Sequence, residues 1–289
     1  MLNFFISLII ALQLVAPAQG IVAGVQDMRV DFPRREITDS FEPIIEAKSA
    51  LAMDVKTGKI LFQKNGFEQR SLASITKLMT ALVFLEREPE WDKQVRVSID
   101  DRQNGGKLAV EPGETIRLED LFFTALVGSI NSATYELARA TDLEYQDFIN
   151  RMNDKAKEIG MENSIFIEPT GISSGNKATA KDVAVLLRVA LAQEKIREAL
   201  NTERYIFKTR SGKTHYINNT NELLESYLDI AGGKTGYIEE AGFCLVNLVK
   251  NEQAPEGIIV AILGAETKEA RFQQNKFLSQ WVFDNWEWE

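Results

Sequence analysis

Residues 71–86 read SLASITKLMTALVFLE, and the fold is decided there. Leu78, Leu82 and Leu85 recur at helical spacing with Met79 and Ala81 beside them. Almost every residue after Lys77 is apolar, so the stretch predicts a buried helix. Ser74 and Lys77 stand at its head, three residues apart, on one helix face and one turn from each other. A lysine taken out of water gives up its proton more readily and becomes a base. A serine hydroxyl becomes nucleophilic when a base adjoins it. One turn of helix therefore offers both a nucleophile and its base. Taken alone, the pair reads more simply as a capping serine and a solvated lysine. The same spacing recurs from Ser174 to Lys177 in SSGNK, a polar loop by composition.

The chain has 289 residues, 45% of them hydrophobic and 26% charged, which is ordinary for a soluble globular protein. That length suits one large domain or a domain with an inserted subdomain. A net charge of −9, without a basic stripe interleaved with aromatics, argues against nucleic acid as a partner. Residues 4–16, FFISLIIALQLVA, are apolar but shorter than the roughly 20 residues of a spanning helix. Ala16-Pro17-Ala18 follows as a small-residue cleavage site, so residues 1–18 read as a secretory signal peptide, although no Lys or Arg precedes the run. A short N-terminal anchor and a core strand are the other readings of that run. No other stretch is apolar enough to span a membrane, so an exported protein without a stable transmembrane anchor is expected.

Cys244 and His215 are the only cysteine and the only histidine, which excludes an intrachain disulfide and a Cys/His zinc site. No metal and no cofactor is expected. A Ser-His-Asp triad is equally ill served, because His215 lies in the polar stretch SGKTHYINNT, where an exposed strand residue is expected. Any activated serine would have lysine as its natural base.

Residues 19–45 read as an extended lead-in and 46–289 as the folded domain. Ala50 to Val55 and Ile60 to Phe62 are strands about the turn Lys56-Thr57-Gly58. VRVSID at 95–100 is a short strand, and QNGGK at 103–107 a turn. Leu118 to Val127 is helical by period and is broken at Gly128-Ser129-Ile130-Asn131. Helices follow at 133–140, 143–159 and 178–191, making residues 80–190 an inserted all-helical subdomain. RYIFKT, THYIN, AGGKTGY, AGFCLVNLV and GIIVAILGA are strands. A last helix from Glu269 to Trp286 has Phe272, Phe277, Trp281, Val282 and Trp286 on its apolar side. The fold class is therefore α+β, an antiparallel sheet flanked by helices and built from both chain ends, with a helical insertion.

Ser74-Ile75-Thr76-Lys77, Ser129-Ile130-Asn131 and Lys234-Thr235-Gly236 occur in the order of the Ser-x-x-Lys, Ser-x-Asn and Lys-Thr-Gly signature of β-lactamases and penicillin-binding proteins. Lys56-Thr57-Gly58 and Ser174-Gly175-Asn176 duplicate two of them, but the one precedes the serine in a hairpin turn and the other reads as a surface loop. With the flanks MDVKTGKILFQKN, ASITKLMTALVFLE, ATAKDVAVLL, AGGKTGYIEEAGFCLV and GAETKEARF, residues 46–285 resemble the low-molecular-weight penicillin-binding proteins, the D-alanyl-D-alanine carboxypeptidases.

The resemblance implies a β-lactamase/transpeptidase-like fold and a serine-type carboxypeptidase trimming peptidoglycan stem peptides, with β-lactam antibiotics as covalent inhibitors. It implies acylation of Ser74, proton transfer to a neutral Lys77, and a proton relayed by Ser129 to the leaving amine. Asn131 would hold Lys77 and the substrate amide. Lys234 would supply positive potential, Thr235 would bond the substrate carboxylate, and Gly236 would let the strand approach the substrate. The backbone N–H groups of Ser74 and Tyr237 would form the oxyanion hole. Ile130 and Ile238 depart from the family pattern, and a chain stopping at Glu289, where many relatives continue into a β-rich domain and anchoring helix, leads one to expect a soluble exported enzyme or an endopeptidase. D,D-endopeptidase, β-lactamase (with Glu162 or Glu168 as the extra carboxylate) and a silent binding protein are the alternatives.

Overall fold

The structure, a computed structural model, describes residues 32–36, 41–97, 110–111 and 113–288, all within the unit Asp31–Glu289. The signal segment, most of the lead-in, the second half of VRVSID and the QNGGK turn lie outside the described residues. In chain order the strands are β1 (Arg34–Arg35), β2 (Ser49–Asp54), β3 (Ile60–Lys64), β4 (Arg70–Ser71), β5 (Gln94–Arg96), β6 (Thr115–Arg117), β7 (Lys177–Ala178), β8 (Arg204–Lys208), β9 (Thr214–Asn218), β10 (Asp229–Ile238), β11 (Gly242–Lys250), β12 (Ile258–Ala265) and β13 (Trp286–Glu287). The helices are α1 (Lys77–Leu85), α2 (Leu118–Val127), α3 (Asn131–Arg139), α4 (Tyr145–Glu158), α5 (Ala180–Ala192), α6 (Glu194–Asn201) and α7 (Lys268–Asn285).

Five strands form one antiparallel sheet in the order β10-β11-β12-β2-β3. The β2–β3 hairpin thus pairs directly, through β2, with β12, the last strand of this sheet. The period of two along each strand divides the core. Leu51, Met53, Ile259, Ala261 and Leu263 join the core that holds α1, α2 and α5. Ala50, Ala52, Ile258, Val260 and Ile262 join the core capped by Phe272, Leu278, Trp281 and Val282 of α7. A sheet covered on both faces favours apolar residues at successive positions, which is why β2, β11 and β12 read as near-continuous apolar runs.

On the first face, α1 packs against α2, α3, α4 and α5, while α5 also lies on β2, β11 and β12. The helix expected at 178–191 therefore sits where the helical block meets the sheet. Phe84, Trp91, Phe122 and Phe123 fill the block, with ring centroids 5.3–6.3 Å apart and mostly edge-on.

Local differences from the sequence reading have local causes. The helix expected from residue 74 onward begins at Lys77, behind a 3-10 turn over Ala73–Thr76, because Ala73 holds a left-handed φ of +46° and interrupts helical backbone. His215 is on a strand but buried, stacked on Phe207 at 5.1 Å, with Nε2 3.3 Å from Glu114 Oε2. The β8–β9 hairpin lies on α2, so its alternate residues Phe207, His215 and Ile217 turn inward while Ile206 and Tyr216 face out. Phe277, expected on the inner side of α7, is 51% exposed, whereas Trp281 and Trp286 are buried. The short helix α6 has no counterpart in the sequence reading.

Phe122→Ala is expected to destabilise the protein by about 3–5 kcal/mol, the usual cost of emptying a fully buried aromatic site. Phe277→Ala should change stability by less than about 0.5 kcal/mol. Urea denaturation midpoints of the two variants and the parent chain check both.

Candidate active site

Ser74 rides on the 3-10 turn and Lys77 opens α1, so the expected one-turn proximity holds although the local helix is tighter. Lys77 is fully buried, and its Nζ lies 3.1 Å from Ser74 Oγ, 2.6 Å from Asn131 Oδ1 and 2.6 Å from the Thr170 carbonyl oxygen. Burial pulls its pKa down from the ordinary lysine value to about 7, while the carboxylate of Glu168 acts the other way. In the neutral amine only two hydrogens remain. Asn131 Oδ1 and the Thr170 carbonyl can only accept, so they take both, and the nitrogen lone pair is left for the Ser74 hydroxyl. The arrangement can accept a proton from that hydroxyl.

The second motif is placed by a break between helices. Gly128 ends α2, Ser129 takes a left-handed φ of +57°, and Asn131 is the first residue of α3. Ser129 Oγ accepts a hydrogen bond of 2.8 Å from Lys234 Nζ on β10. Lys234 is fully buried, and its pKa is driven well below the ordinary value by burial, by Lys77 and by Arg271. Two networks thus meet, Ser74–Lys77–Asn131 and Ser129–Lys234.

Two glycines hold the serine peptide between them. A Cβ on Gly171 would sit 1.8 Å from the Ala73 carbonyl oxygen and 2.9 Å from Ser74 N. A Cβ on Gly236 would sit 2.9 Å from the Leu72 carbonyl oxygen and 3.0 Å from Ser74 N. Both positions therefore need the missing side chain, and β10 runs edge-on to the Ser74 backbone. Thr235 is buried with its hydroxyl 2.6 Å from that of Thr220, and Tyr237 is half exposed, stacked on Phe243 at 4.2 Å.

A model of the D-alanyl-D-alanine carboxypeptidase family matches residues 36–267. The chain belongs to that family. It is 32% identical over 248 residues to the D-alanyl-D-alanine carboxypeptidase DacF of Bacillus subtilis, covering 84% of this chain and 63% of that one. It is 34% identical over 250 residues to a D-alanyl-D-alanine endopeptidase of Escherichia coli, covering 85% and 80%. Its fold matches the crystal structure of the Streptomyces K15 DD-transpeptidase with a TM-score of 0.78 at 27% identity, over 85% of this chain and 100% of that one. The chain thus spans less than two thirds of DacF and has the transpeptidase-like α+β fold.

The rival motifs stand apart from this constellation. Lys56-Thr57-Gly58 is the β2–β3 turn, with Thr57 Oγ1 bonded to Asp54 Oδ1 at 2.5 Å, and Ser174 and Lys177 are exposed. Asn176, between those two, is fully buried and ties Thr76 Oγ1 to Glu168. Sequence reasoning missed Thr170, Asn176 and Thr220, whose contributions run through backbone groups or single hydroxyls. The one cue present was Glu168-Pro169-Thr170-Gly171, an acid leading into a turn. Arg271, unplaced by sequence, lies buried beneath β10, with its guanidinium 3.3 Å from the Gly236 carbonyl and over the Phe243 and Phe272 rings. Ile130 and Ile238 pack against the helical-side core, which absorbs their bulk. A cavity of about 710 Å³ elsewhere, lined by Lys56, Arg188, Arg197 and Lys250 over Val55 and Leu248, contains none of Ser74, Lys77, Ser129, Asn131, Lys234 or Thr235.

Gly171→Ala should cost about 1–2 kcal/mol for its left-handed φ alone, besides displacing the Ala73–Ser74 peptide. The expected result is a lower melting temperature together with a penicillin acylation rate reduced by about a hundredfold, as for a nucleophile misplaced by an ångström. Thermal melts and stopped acylation time courses measure the two effects.

Proposed function

We propose that this chain is a serine-type D-alanyl-D-alanine carboxypeptidase that trims peptidoglycan stem peptides through an acyl-enzyme on Ser74. The observation that carries the reading is the Lys77 amine, 3.1 Å from Ser74 Oγ with its other directions claimed by Asn131 and Thr170. Ser74 Oγ attacks the carbonyl carbon of the penultimate D-alanine while its proton passes to Lys77 Nζ. The resulting oxyanion is met by the Ser74 and Tyr237 backbone N–H groups, a contribution typically worth a hundredfold or more (~10²–10³) in rate. The C–N bond then breaks, and the leaving D-alanine nitrogen takes a proton relayed by Ser129 Oγ, which regains one from the Lys77 ammonium. Water then attacks the ester, giving a proton to Lys77, which passes it to Ser74 Oγ as the acyl–oxygen bond breaks. Thr235 and Lys234 receive the terminal carboxylate, and Gly236 keeps the strand edge open to the peptide.

The same geometry suits β-lactams as covalent inhibitors, since they present an acyl carbon to Ser74 and an anion to Thr235. Export follows from reading residues 1–18 as a signal peptide, and with it an extracytoplasmic, cell-wall location. A β-lactamase would need a carboxylate free to activate water. Glu168 is not free: Thr170 N and Oγ1 bond one oxygen at 2.7 Å, and Gly171 N and Asn176 Nδ2 bond the other at 2.6 and 2.8 Å. A carboxylate has about four lone-pair sites, and these donors fill them. D,D-endopeptidase is the second reading. The chain covers 80% of the Escherichia coli endopeptidase but only 63% of DacF.

Penicillin should form an adduct that peptide mapping places on Ser74, within SLASITK, and Lys77→Ala should abolish it. An adduct on Ser174 would overturn the assignment. Acylation requires neutral Lys77, so its rate should rise with pH through a midpoint near the Lys77 pKa of about 7 and fall away below it. Monomeric pentapeptide muropeptides and crosslinked dimers, offered side by side and followed by chromatography, separate the two peptidase readings. D-Alanine release from monomers is expected. Cleavage of dimers alone would select the endopeptidase.

A further inference from the structure

Glu168 is buried, and the reaction scheme leaves it without a task. Its two oxygens organise the turn that follows. Oε2 accepts from Thr170 N and Thr170 Oγ1, and Oε1 accepts from Gly171 N, from Asn176 Nδ2 and, at 3.4 Å, from Ser173 N. Asn176 closes the knot: its Nδ2 also reaches the Glu168 carbonyl at 2.8 Å, and its Oδ1 accepts from Ile167 N at 2.8 Å. The Pro169 carbonyl accepts from Thr80 Oγ1 of α1 at 2.5 Å. The product of all these bonds is one fixed peptide, whose Thr170 carbonyl points at Lys77 Nζ from 2.6 Å.

We propose that Glu168 is a positioning residue for Lys77, holding the Thr170 carbonyl where it takes one amine hydrogen and so aims the lone pair at Ser74. The inference rests on the reading of Ser74 and Lys77 as nucleophile and base. Without that carbonyl the amine is free to rotate about its stem, and the lone pair spends its time elsewhere. Geometry of this kind is worth much in a step that needs aligned partners.

Charge adds a second signature. Lys77 is faced by Glu168 from the turn and by Lys234 from β10; Arg271 of α7 faces Lys234, and the phenols of Tyr135 and Tyr145, on α3 and α4, lie toward Glu168. Glu168 is the carboxylate of this group, and its charge opposes the burial that strips the Lys77 proton. Removing that charge while keeping the shape favours neutral Lys77 still more. The pH at which acylation switches on must then move down, even as the rate above it drops.

The test compares the full chain with Glu168→Gln and Glu168→Asp, using a fluorescent penicillin to follow acylation from pH 5 to 9 and the survival of the adduct. Glu168→Gln places an NH₂ among donors, so acylation above the midpoint should slow by about 10–100-fold. Its midpoint should shift below that of the parent chain, and the adduct lifetime should stay unchanged. Glu168→Asp keeps the charge with a shorter reach, so it should slow acylation while leaving the midpoint in place. A Glu168→Gln protein that acylates at the parental rate with the parental midpoint overturns the proposal. So does one that acylates normally but holds its adduct far longer, which would make Glu168 a water-activating base. If neither variant folds, the carboxylate serves the fold and the positioning role fails. If the parent chain forms no Ser74 adduct, the peptidase reading falls and this proposal with it, a result distinct from any seen only in the variants.

Discussion

Taking the Lys77 amine out of water is the constraint to which the rest of the site answers. An isolated buried ammonium costs far more than the few kcal/mol by which a domain is stable, so the group must either shed its proton or be surrounded by acceptors. Here both responses are present. Burial lowers the pKa to about 7, and three oxygens from three segments converge on the nitrogen. Those segments are the 3-10 turn before α1, the start of α3 and the 168–171 turn, and none is adjacent in sequence to another. The helical block exists, in this sense, to bring α3 and the turn against the head of α1. The aromatic cluster of Phe84, Trp91, Phe122 and Phe123 does that at a distance by fixing α1 against α2.

Two of the five described non-glycine residues with positive φ lie at the same place. Ala73 and Ser129 both hold left-handed backbone without being glycine, at about 1–3 kcal/mol each. Ala73 is fully buried and caught between Gly171 on one side and Gly236 on the other, so the packing leaves its carbonyl no room to relax. Ser74 therefore sits on a 3-10 turn ahead of α1 rather than inside a regular helix.

The sheet and the long helices were legible because one physical rule governed each. β2, β11 and β12 are covered on both faces and are apolar along most of their length, with buried Asn247 of β11 satisfied by Asn221 and Asn275. For α2, the apolar period coincided with the capping arrangement of Arg117 and Asp120, so the boundaries Leu118–Val127 came out as expected. Of the site, the lysines, serines and Asn131 were legible as side-chain patterns. The elements that hold them were not. Asn176 and Glu168 act on backbone groups several residues away, and polar residues doing so look like any surface loop in sequence. His215 and Phe277 failed for the complementary reason: burial there depends on what packs over a hairpin and on how α7 is rotated, neither of which a local pattern contains.

Two buried lysines and a buried arginine share one neighbourhood; burial lowers the proton affinity of each, and for Lys234 repulsion from Lys77 and Arg271 lowers it further. Glu168 sits on the Lys77 side, so Lys234 and Arg271 have no comparable carboxylate bonded to them among the described contacts. Glu239, Glu240 and Glu266, close by in sequence, are exposed and face solvent screening. An anion arriving beside Thr235 acts on this balance, because it favours the positive charge on Lys234 that burial, Lys77 and Arg271 disfavour. On the proposed reading, a substrate ending in a free carboxylate favours the ammonium form of Lys234, whose Nζ lies 2.8 Å from Ser129 Oγ. That ammonium makes Ser129 a better proton donor at the moment the leaving amine needs one. A crosslinked peptide that puts an amide in the carboxylate's place forgoes the coupling. On that reading the electrostatics of β10 favour a free carboxylate over an amide beside Thr235.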